Sequence, residues 1–206
     1  MLHALATDEH APTSVREPTL AQRVHVADSL AALDLEEVRG ACRLVDIGSG
    51  AGFPGLPLAV ALPEAEIALV ESQARKCAFL ERVSAEAGIE NARVVCARAE
   101  EWEAGFERGD VVVARAVASQ SVVLEYAAPL LRIGGLLVDW RGRRVGEEEE
   151  QADRAGAILG LRREQVLRAA PIEGATDHHL HTFRKLSATP PRFPRRAGMA
   201  RKRPLG

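Results

Sequence analysis

Short apolar runs alternate with amphipathic segments along most of the chain. The runs at residues 67–70 and 111–114 contain no polar side chain, and in residues 20–33 apolar side chains recur every three or four positions. An unbroken apolar run is typical of a strand buried on both faces, whereas the wider spacing is typical of a helix. The alternation therefore predicts an α/β protein with a doubly wound, mostly parallel sheet.

Seven strands and the helices between them can be assigned from this pattern. The strands are predicted at 42–45, 67–71, 94–96, 111–115, 136–140, 166–167 and 180–185. Helices are predicted at 20–33, 56–62, 75–87, 122–131 and 147–160, with a turn at Gly134-Gly135 before the fifth strand. We divide the chain into a polar leader and helix (1–34), a sheet domain (35–186) and a basic C-terminal segment (187–206), which we expect to form little core.

A glycine-rich stretch, DIGSGAGFPG at 46–55, joins the first strand to the next helix. This order is typical of cofactor-binding turns, because glycines let the backbone approach a ligand closely. The stretch fits the pattern of dinucleotide-binding folds, and Asp46, Gly48, Gly50 and Gly52 equally fit the pattern of S-adenosylmethionine-dependent methyltransferases. Asp46 favours the methyltransferase, since a carboxylate suits the ammonium of the methionine moiety and repels a pyrophosphate.

Two charged residues end predicted strands at the carboxyl edge of the sheet, where ligands bind in open α/β folds. Glu71 follows the glycines by about 20 residues, the position at which such folds place an acid against a ribose. Arg115 ends the unbroken run at 111–114. A structural ion pair is an equally good explanation of Arg115 from its position alone.

Other polar residues are interpreted more conservatively. His25 and Asp28 share one face of the first helix, where solvated or capping roles are the commoner explanation. His178, His179 and His181 lie close together without a further ligand nearby, so we do not expect a metal site. The three cysteines fit neither a zinc nor a disulfide spacing, which favours reduced thiols and a cytoplasmic protein.

Charge is distributed unevenly along the chain. Residues 184–206 contain eight basic and no acidic side chains, which leaves 19 basic against 29 acidic residues elsewhere. A basic segment on an acidic body indicates a polyanionic partner. No apolar run reaches the length of about 18 residues that a bilayer span needs, so no membrane association is expected.

Together these motifs resemble the bacterial 16S ribosomal RNA guanine-N7 methyltransferase family, also called the glucose-inhibited division protein B family. The resemblance covers about residues 13–206 and is carried most specifically by the Phe53-Pro54-Gly55 continuation of the glycine turn and by the Pro194-Arg195-Arg196 segment. His25-x-x-Asp28-Ser29 and Ala114-Arg115-Ala116 also match. The chain departs from the family in its leader and in Arg141-Gly142, where the family has a lysine before the glycine.

The resemblance implies a fold, a cofactor and a set of site residues. The fold would be the seven-stranded Rossmann-like sheet of S-adenosylmethionine-dependent methyltransferases. The protein would act on 16S ribosomal RNA or on the small ribosomal subunit, as a monomer and without a metal. Cofactor contacts would come from the following residues: Asp46, Gly48, Gly50, Gly52, Phe53, Glu71, Ser72, Ala99, Glu100 and Arg115. Arg115 would also be catalytic. RNA contacts would come from Arg98, Arg141, Arg195, Arg196 and Lys202.

Three other functions stay open on the sequence. A small-molecule methyltransferase could use the same fold and would not need the basic segment. A non-catalytic protein that binds ribosomal RNA could have kept the glycine turn without turnover. A nicotinamide-dependent dehydrogenase would use the same turn for a different cofactor.

Overall fold

The computed structural model describes residues 18–169 and 178–206, so the predicted leader lies almost entirely outside the described residues. Its centre is a seven-stranded sheet in the order β3-β2-β1-β4-β5-β7-β6, in which β7 runs opposite to the other six strands. The strands are β1 (Arg43–Ile47), β2 (Glu66–Glu71), β3 (Ala92–Cys96), β4 (Gly109–Arg115), β5 (Leu131–Arg141), β6 (Leu161–Arg168) and β7 (His179–Lys185). The predicted fold class is confirmed.

Helical elements precede and connect these strands. The N-terminal helical segment, Pro18–Asp34, contains a π-helical stretch at Gln22–Ala27 between α-helical turns. The α-helices that follow are α1 (Glu36–Arg39), α2 (Gly55–Ala61), α3 (Ala74–Glu86), α4 (Gln120–Ala127), α5 (Gly146–Leu159) and α6 (Met199–Lys202). Two 3₁₀ turns, Ala99–Glu101 and Glu103–Gly105, stand between β3 and β4. No helix among the described residues is long and apolar enough to cross a membrane.

Each face of the sheet carries its own buried core. Alternate residues of a strand point to opposite faces, so Leu44 of β1 packs on one side and Val45 on the other. The side with Leu44 also receives α2, α3 and part of the N-terminal helical segment, whereas the side with Val45 receives α4 and α5. This double coverage explains why the strands read as unbroken apolar runs.

The chain between α4 and β5 differs from the prediction. The predicted helix 122–131 begins at Gln120 and ends at Ala127, and the predicted turn Gly134-Gly135 lies inside β5. Leu131 pairs with Gly109, after which the register shifts and Leu136 pairs with Val111. A Cβ on Gly135 would lie 3.0 Å from three carbonyl oxygens, so glycine lets the strand bulge against β4.

The C-terminal segment is part of the folded domain. Phe193 and Ala200 are buried in the core beside α4 and α5, and Leu205 packs against the same core. The expectation that this segment would form little core was therefore wrong. The many basic side chains of this segment made its few apolar anchoring residues hard to recognise from the sequence.

Candidate active site

The glycine turn follows β1 at the point where the strand order reverses. Gly48 has a φ of +70°, and a Cβ added there would lie 2.9 Å from Cγ2 of Val117, so no other residue fits without displacing that side chain. Gly50 has a φ of +55°, but its added Cβ would find no heavy atom closer than 3.7 Å. Gly48 is thus required by packing, whereas Gly50 borders open space. Ligands of open α/β sheets bind at this position.

A cleft opens above the turn, between the carboxyl ends of β1, β2, β3 and β4. Six of the predicted cofactor and RNA residues line it: Gly48, Glu71, Ser72, Arg98, Ala99 and Glu100. Lys76, Tyr126 and Arg201 also line it, although they were not among the predicted site residues. The structure therefore brings half of the ten predicted cofactor residues together in this cleft.

Glu71 is the buried carboxylate of this cleft. Its Oε2 accepts a hydrogen bond from the Gly50 amide at 3.1 Å, and its Oε1 accepts one from the Gln73 amide at 2.9 Å. These bonds fix the carboxylate against the turn. Because each carboxylate oxygen has a second lone pair, Glu71 can still accept hydrogen bonds from the hydroxyls of a ligand.

Asp46 lies beneath the turn rather than on the surface of the cleft. Its Oδ2 accepts a hydrogen bond from the Gly55 amide at 3.1 Å, which ties the end of β1 to the start of α2. Its Oδ1 is buried and has no hydrogen-bond partner among the described residues. Burial raises the pKa of Asp46 to about 7. Its contact with the ammonium of a cofactor stays a prediction.

A second pocket opens on the other side of the chain that leaves β4. Ala116 lies on both cavities, and its φ of +56° is unusual for a residue with a side chain. This left-handed residue separates the two neighbouring side chains, since Arg115 lines the second pocket and Val117 lines the first cleft. The second pocket is bordered by Val24, His25, Arg115, Ala116, Trp140, Arg141, Gly142 and His178.

Arg115 is held on several sides at the second pocket. Its Nη1 donates to Oδ2 of Asp28 at 3.0 Å, and its Nη2 lies 3.3 Å from Nδ1 of His25. The guanidinium carbon lies 5.3 Å from the ring centre of Phe53, whose ring is also 4.8 Å from that of His25. The structural explanation of Arg115 is therefore confirmed, because it forms an ion pair with Asp28. Its functional role stays a prediction, although it also borders a pocket.

His25 acts as an acceptor towards Arg115. A guanidinium can only donate hydrogen bonds, so Nδ1 of His25 must accept and its proton must lie on Nε2. Burial, and then the charge of Arg115, lower the pKa of His25 to about 4, which keeps the ring neutral near pH 7. The interpretation of His25 and Asp28 as solvated or capping residues was wrong. Their spacing on one helix face was the available signal.

The histidines near the C-terminal strands have separate partners. Nδ1 of His178 lies 2.9 Å from Oδ1 of Asp28, and Nδ1 of His179 lies 3.1 Å from the carbonyl oxygen of Gly142. Nδ1 of His181 lies 3.1 Å from Nη1 of Arg163. Among residues 18–169 and 178–206, no group of three or more His, Cys, Asp or Glu side chains could hold a metal ion. His178 itself borders the second pocket and also contacts Asp28.

The predicted RNA-binding residues differ in their surroundings. Arg98 lines the first cleft, and Arg141 borders the second pocket while donating to the Ala118 carbonyl at 2.7 Å. Arg196 and Lys202 are exposed. Arg195 instead donates through Nε to Oε1 of the buried Glu125 at 2.8 Å. Its contact with RNA stays a prediction, and its visible role is to anchor the C-terminal segment.

Comparison with known proteins gives the family. The model of the GidB family, described as rRNA small subunit methyltransferase G, matches residues 4–175. The chain belongs to this family. A ribosomal RNA small subunit methyltransferase G from Syntrophomonas wolfei is 40% identical over 183 residues, or 88% of this chain and 85% of the relative. One from Desulfitobacterium hafniense is 41% identical over 197 residues, or 94% and 81%. The family that the sequence resembled is confirmed.

Solved structures support the fold. A predicted O-methyltransferase from Agrobacterium tumefaciens matches with a TM-score of 0.62 at 19% identity, over 80% of this chain and 82% of that one. M. jannaschii TYW2 in complex with AdoMet matches with a TM-score of 0.58 at 15% identity, over 73% of each chain. Both likenesses place this chain on the Rossmann-like methyltransferase fold.

Proposed function

We propose that this protein transfers the methyl group of S-adenosylmethionine to N7 of a guanine in 16S ribosomal RNA. The observation that carries the proposal is the pair of cavities that meet at Ala116. One contains a buried carboxylate and a glycine turn, and the other is bordered by Trp140, His25 and arginines. Family membership supports both the reaction class and the RNA substrate.

The first cleft fits S-adenosylmethionine. Glu71 can accept hydrogen bonds from the ribose hydroxyls, and Ala99 and Glu100 line the same cleft and would border the adenine. Gly50 leaves room for the cofactor that a side chain would fill. The orphaned Oδ1 of Asp46 is an additional buried acceptor near the turn. The bound cofactor supplies a methyl group on a positively charged sulfur.

The proposed reaction requires positioning rather than a base. N7 of guanine has a lone pair, so it forms the new bond to the methyl carbon without losing a proton while the carbon–sulfur bond breaks and its electrons return to sulfur. The protein must therefore hold donor and acceptor in line and exclude water. This agrees with the second pocket, where the carboxylate of Asp28 is already engaged by Arg115 and His178.

Arg115 is the residue that we assign to the guanine or its phosphate. Its contacts with Asp28 and His25 use two of its five N–H donors, which leaves donors for an acceptor in the second pocket. Arginine commonly donates to O6 and N7 of guanine. A hydrogen bond to N7 would block the nucleophile, so we assign Arg115 to O6 or to a phosphate oxygen.

The wider setting follows from the same proposal. Exposed cations of the C-terminal segment, Arg196 and Lys202, would contact phosphates of the RNA around the target base. We infer a monomeric enzyme that acts in the cytoplasm on 16S ribosomal RNA or on the small subunit.

The test is transfer of a labelled methyl group. Purified protein is incubated with methyl-labelled S-adenosylmethionine and either deproteinised 16S RNA or small subunits, and N7-methylguanine is mapped by borohydride and aniline cleavage. We expect one labelled guanine, and Glu71→Ala should reduce labelling at limiting cofactor. Labelling of free nucleosides but not of RNA would favour a small-molecule methyltransferase. RNA binding without any transfer would favour the non-catalytic alternative.

A further inference from the structure

Asp28 is a buried carboxylate that no catalytic step described above requires. It is 1% exposed, and each of its oxygens has a separate partner: Oδ2 binds Nη1 of Arg115 at 3.0 Å and Oδ1 binds Nδ1 of His178 at 2.9 Å. Its main-chain oxygen accepts from Nε1 of Trp140 at 3.1 Å. Asp28 thus connects three of the residues that border the second pocket.

We propose that Asp28 is a positioning residue, which holds the guanidinium of Arg115 in the orientation required for methyl transfer. The proposal rests on the proposed function of the second pocket. It assigns to the N-terminal helical segment a role in catalysis that neither the family match nor the fold gives it.

A simpler role for Asp28 does not explain its contacts. A capping aspartate would accept from main-chain amides of its helix, but both carboxylate oxygens of Asp28 contact side chains of other elements. Removing a carboxylate from water is costly unless charged or polar partners replace the water. Arg115 and His178 are those partners, and they come from positions 87 and 150 residues away.

The guanidinium of Arg115 needs partners that fix its orientation. An arginine side chain has many rotamers, and fixing it in one of them costs conformational entropy. Asp28 accepts from Nη1, His25 accepts from Nη2, and the ring of Phe53 lies beside the guanidinium. Both acceptors come from the N-terminal helical segment, where the π-helical stretch 22–27 ends directly before Asp28. Stretches of π-helix are frequent at functional sites.

The test compares Asp28 with Glu125, a second buried carboxylate that is also 1% exposed and bound to an arginine, but lies outside both cavities. Turnover at saturating RNA, cofactor affinity by calorimetry and thermal melting are measured for Asp28→Asn, Asp28→Ala and Glu125→Gln. We expect Asp28→Ala to lower kcat by about a hundredfold and Asp28→Asn by about tenfold, as misplacement of a catalytic group by about 1 Å does. Cofactor affinity should change less than about twofold. Glu125→Gln should lower the melting temperature and keep kcat.

A second measurement follows Arg115 itself and does not depend on activity. In protein labelled with ¹⁵N-arginine, the Nη1–H signal of Arg115, which donates to Asp28 and is assigned with Arg115→Lys, should exchange slowly with water in the parent and in Glu125→Gln. It should exchange rapidly in Asp28→Ala. If it stays protected in folded Asp28→Ala, or if that variant keeps its kcat, the positioning role is wrong. If the parent transfers no methyl group but shows the expected exchange pattern, the proposed function fails and only the finding that Asp28 holds the guanidinium of Arg115 survives.

Discussion

Two buried carboxylates hold two arginines in this molecule. Asp28 binds Arg115, which is 14% exposed, and Glu125 binds Arg195, which is 23% exposed. Both arginines also lie near an aromatic ring, Phe53 in the first pair and Phe193 in the second. On the contacts of the pair alone, the two arrangements are nearly the same.

The difference lies in what surrounds each arginine. Arg115 borders the second pocket and directly precedes Ala116, the left-handed residue that lies on both cavities. Arg195 donates to the carbonyl oxygen of Arg203 and so closes the C-terminal segment on itself. A buried ion pair therefore does not identify a functional arginine, since such pairs also serve structure. The pocket beside Arg115 is the observation on which we base its proposed role.

The largest loss of stability is expected when the ion pair between Glu125 and Arg195 is broken. Arg195→Ala leaves the Glu125 carboxylate buried without its arginine, so the free energy of unfolding in urea should fall by about 3–5 kcal/mol. Replacing both partners, as in Arg195→Met with Glu125→Leu, should restore much of that stability because no buried charge remains. If the single variant is as stable as the parent, the C-terminal segment is not anchored as described.

Arg115→Ala should show the opposite balance. The Asp28 carboxylate keeps His178 as a partner of Oδ1, so we expect a loss of stability of only about 1–3 kcal/mol. Turnover at saturating RNA should fall by about a hundredfold, the size typical of removing one donor from a catalytic site. Cofactor affinity should be largely kept. If the variant lost affinity for the cofactor and kept its kcat, Arg115 would be assigned to cofactor binding rather than to the guanine or its phosphate.

Glu71→Ala tests the first cleft independently of both pairs. Removing the hydrogen bonds between a charged carboxylate and the ribose should weaken cofactor binding by about 1.5–3 kcal/mol in calorimetric titration. Glu71→Gln is the matched control, because it keeps one acceptor and most of the shape. An unchanged dissociation constant for the alanine variant would leave Glu71 as a support of the glycine turn only.

Acid should destabilise the protein through His25, the neutral acceptor beside Arg115. The folded pKa of His25 is about 4, below its ordinary value of 6.5, so stability from neutral His25 is present above pH 6.5 and is lost as the pH falls towards 4. Asp46 has the opposite slope, because its pKa is raised. The comparison is therefore made between the parent and His25→Asn, whose melting temperature should fall less between pH 6.5 and 4.5. Equal acid slopes would contradict a buried neutral His25.

The smallest effect on stability is expected at the exposed cations. Arg196→Gln combined with Lys202→Gln should leave the melting temperature unchanged. RNA binding should weaken, and the slope of log affinity against log salt should flatten by about 0.7–0.9 for each phosphate that the protein no longer neutralises. An unchanged slope would place the RNA elsewhere on the protein.

The sheet and the position of the first cleft could be predicted from the sequence because both depend on local signals. Unbroken apolar runs reveal parallel strands, and a glycine turn with an acid about 20 residues later reveals a ligand at one sheet edge. The extended β5 was missed because Gly134 and Gly135 are common in turns, and only the register with β4 shows that they form a bulge.

The second pocket was harder to predict because its residues are distant in sequence. Asp28, Arg115 and His178 come from a helix, a strand end and the start of another strand, and no spacing rule connects them. The anchoring of Arg195 by Glu125 was missed for the same reason, since Glu125 looks like an ordinary charged position on a helix. Only the packed structure shows that both carboxylates are buried.

Hydrogen bonds between residues far apart in the sequence complete both cavities, and this affects the order in which the protein folds. Arg201 binds the Val117 carbonyl across 84 residues, the Gly198 amide binds Glu100 across 98, and His178 binds Asp28 across 150. Closing such long loops costs chain entropy before any interaction repays it, so these bonds form slowly compared with helices and turns. We therefore expect the sheet to assemble before its ligand sites, and refolding monitored by cofactor binding should lag behind refolding monitored by circular dichroism.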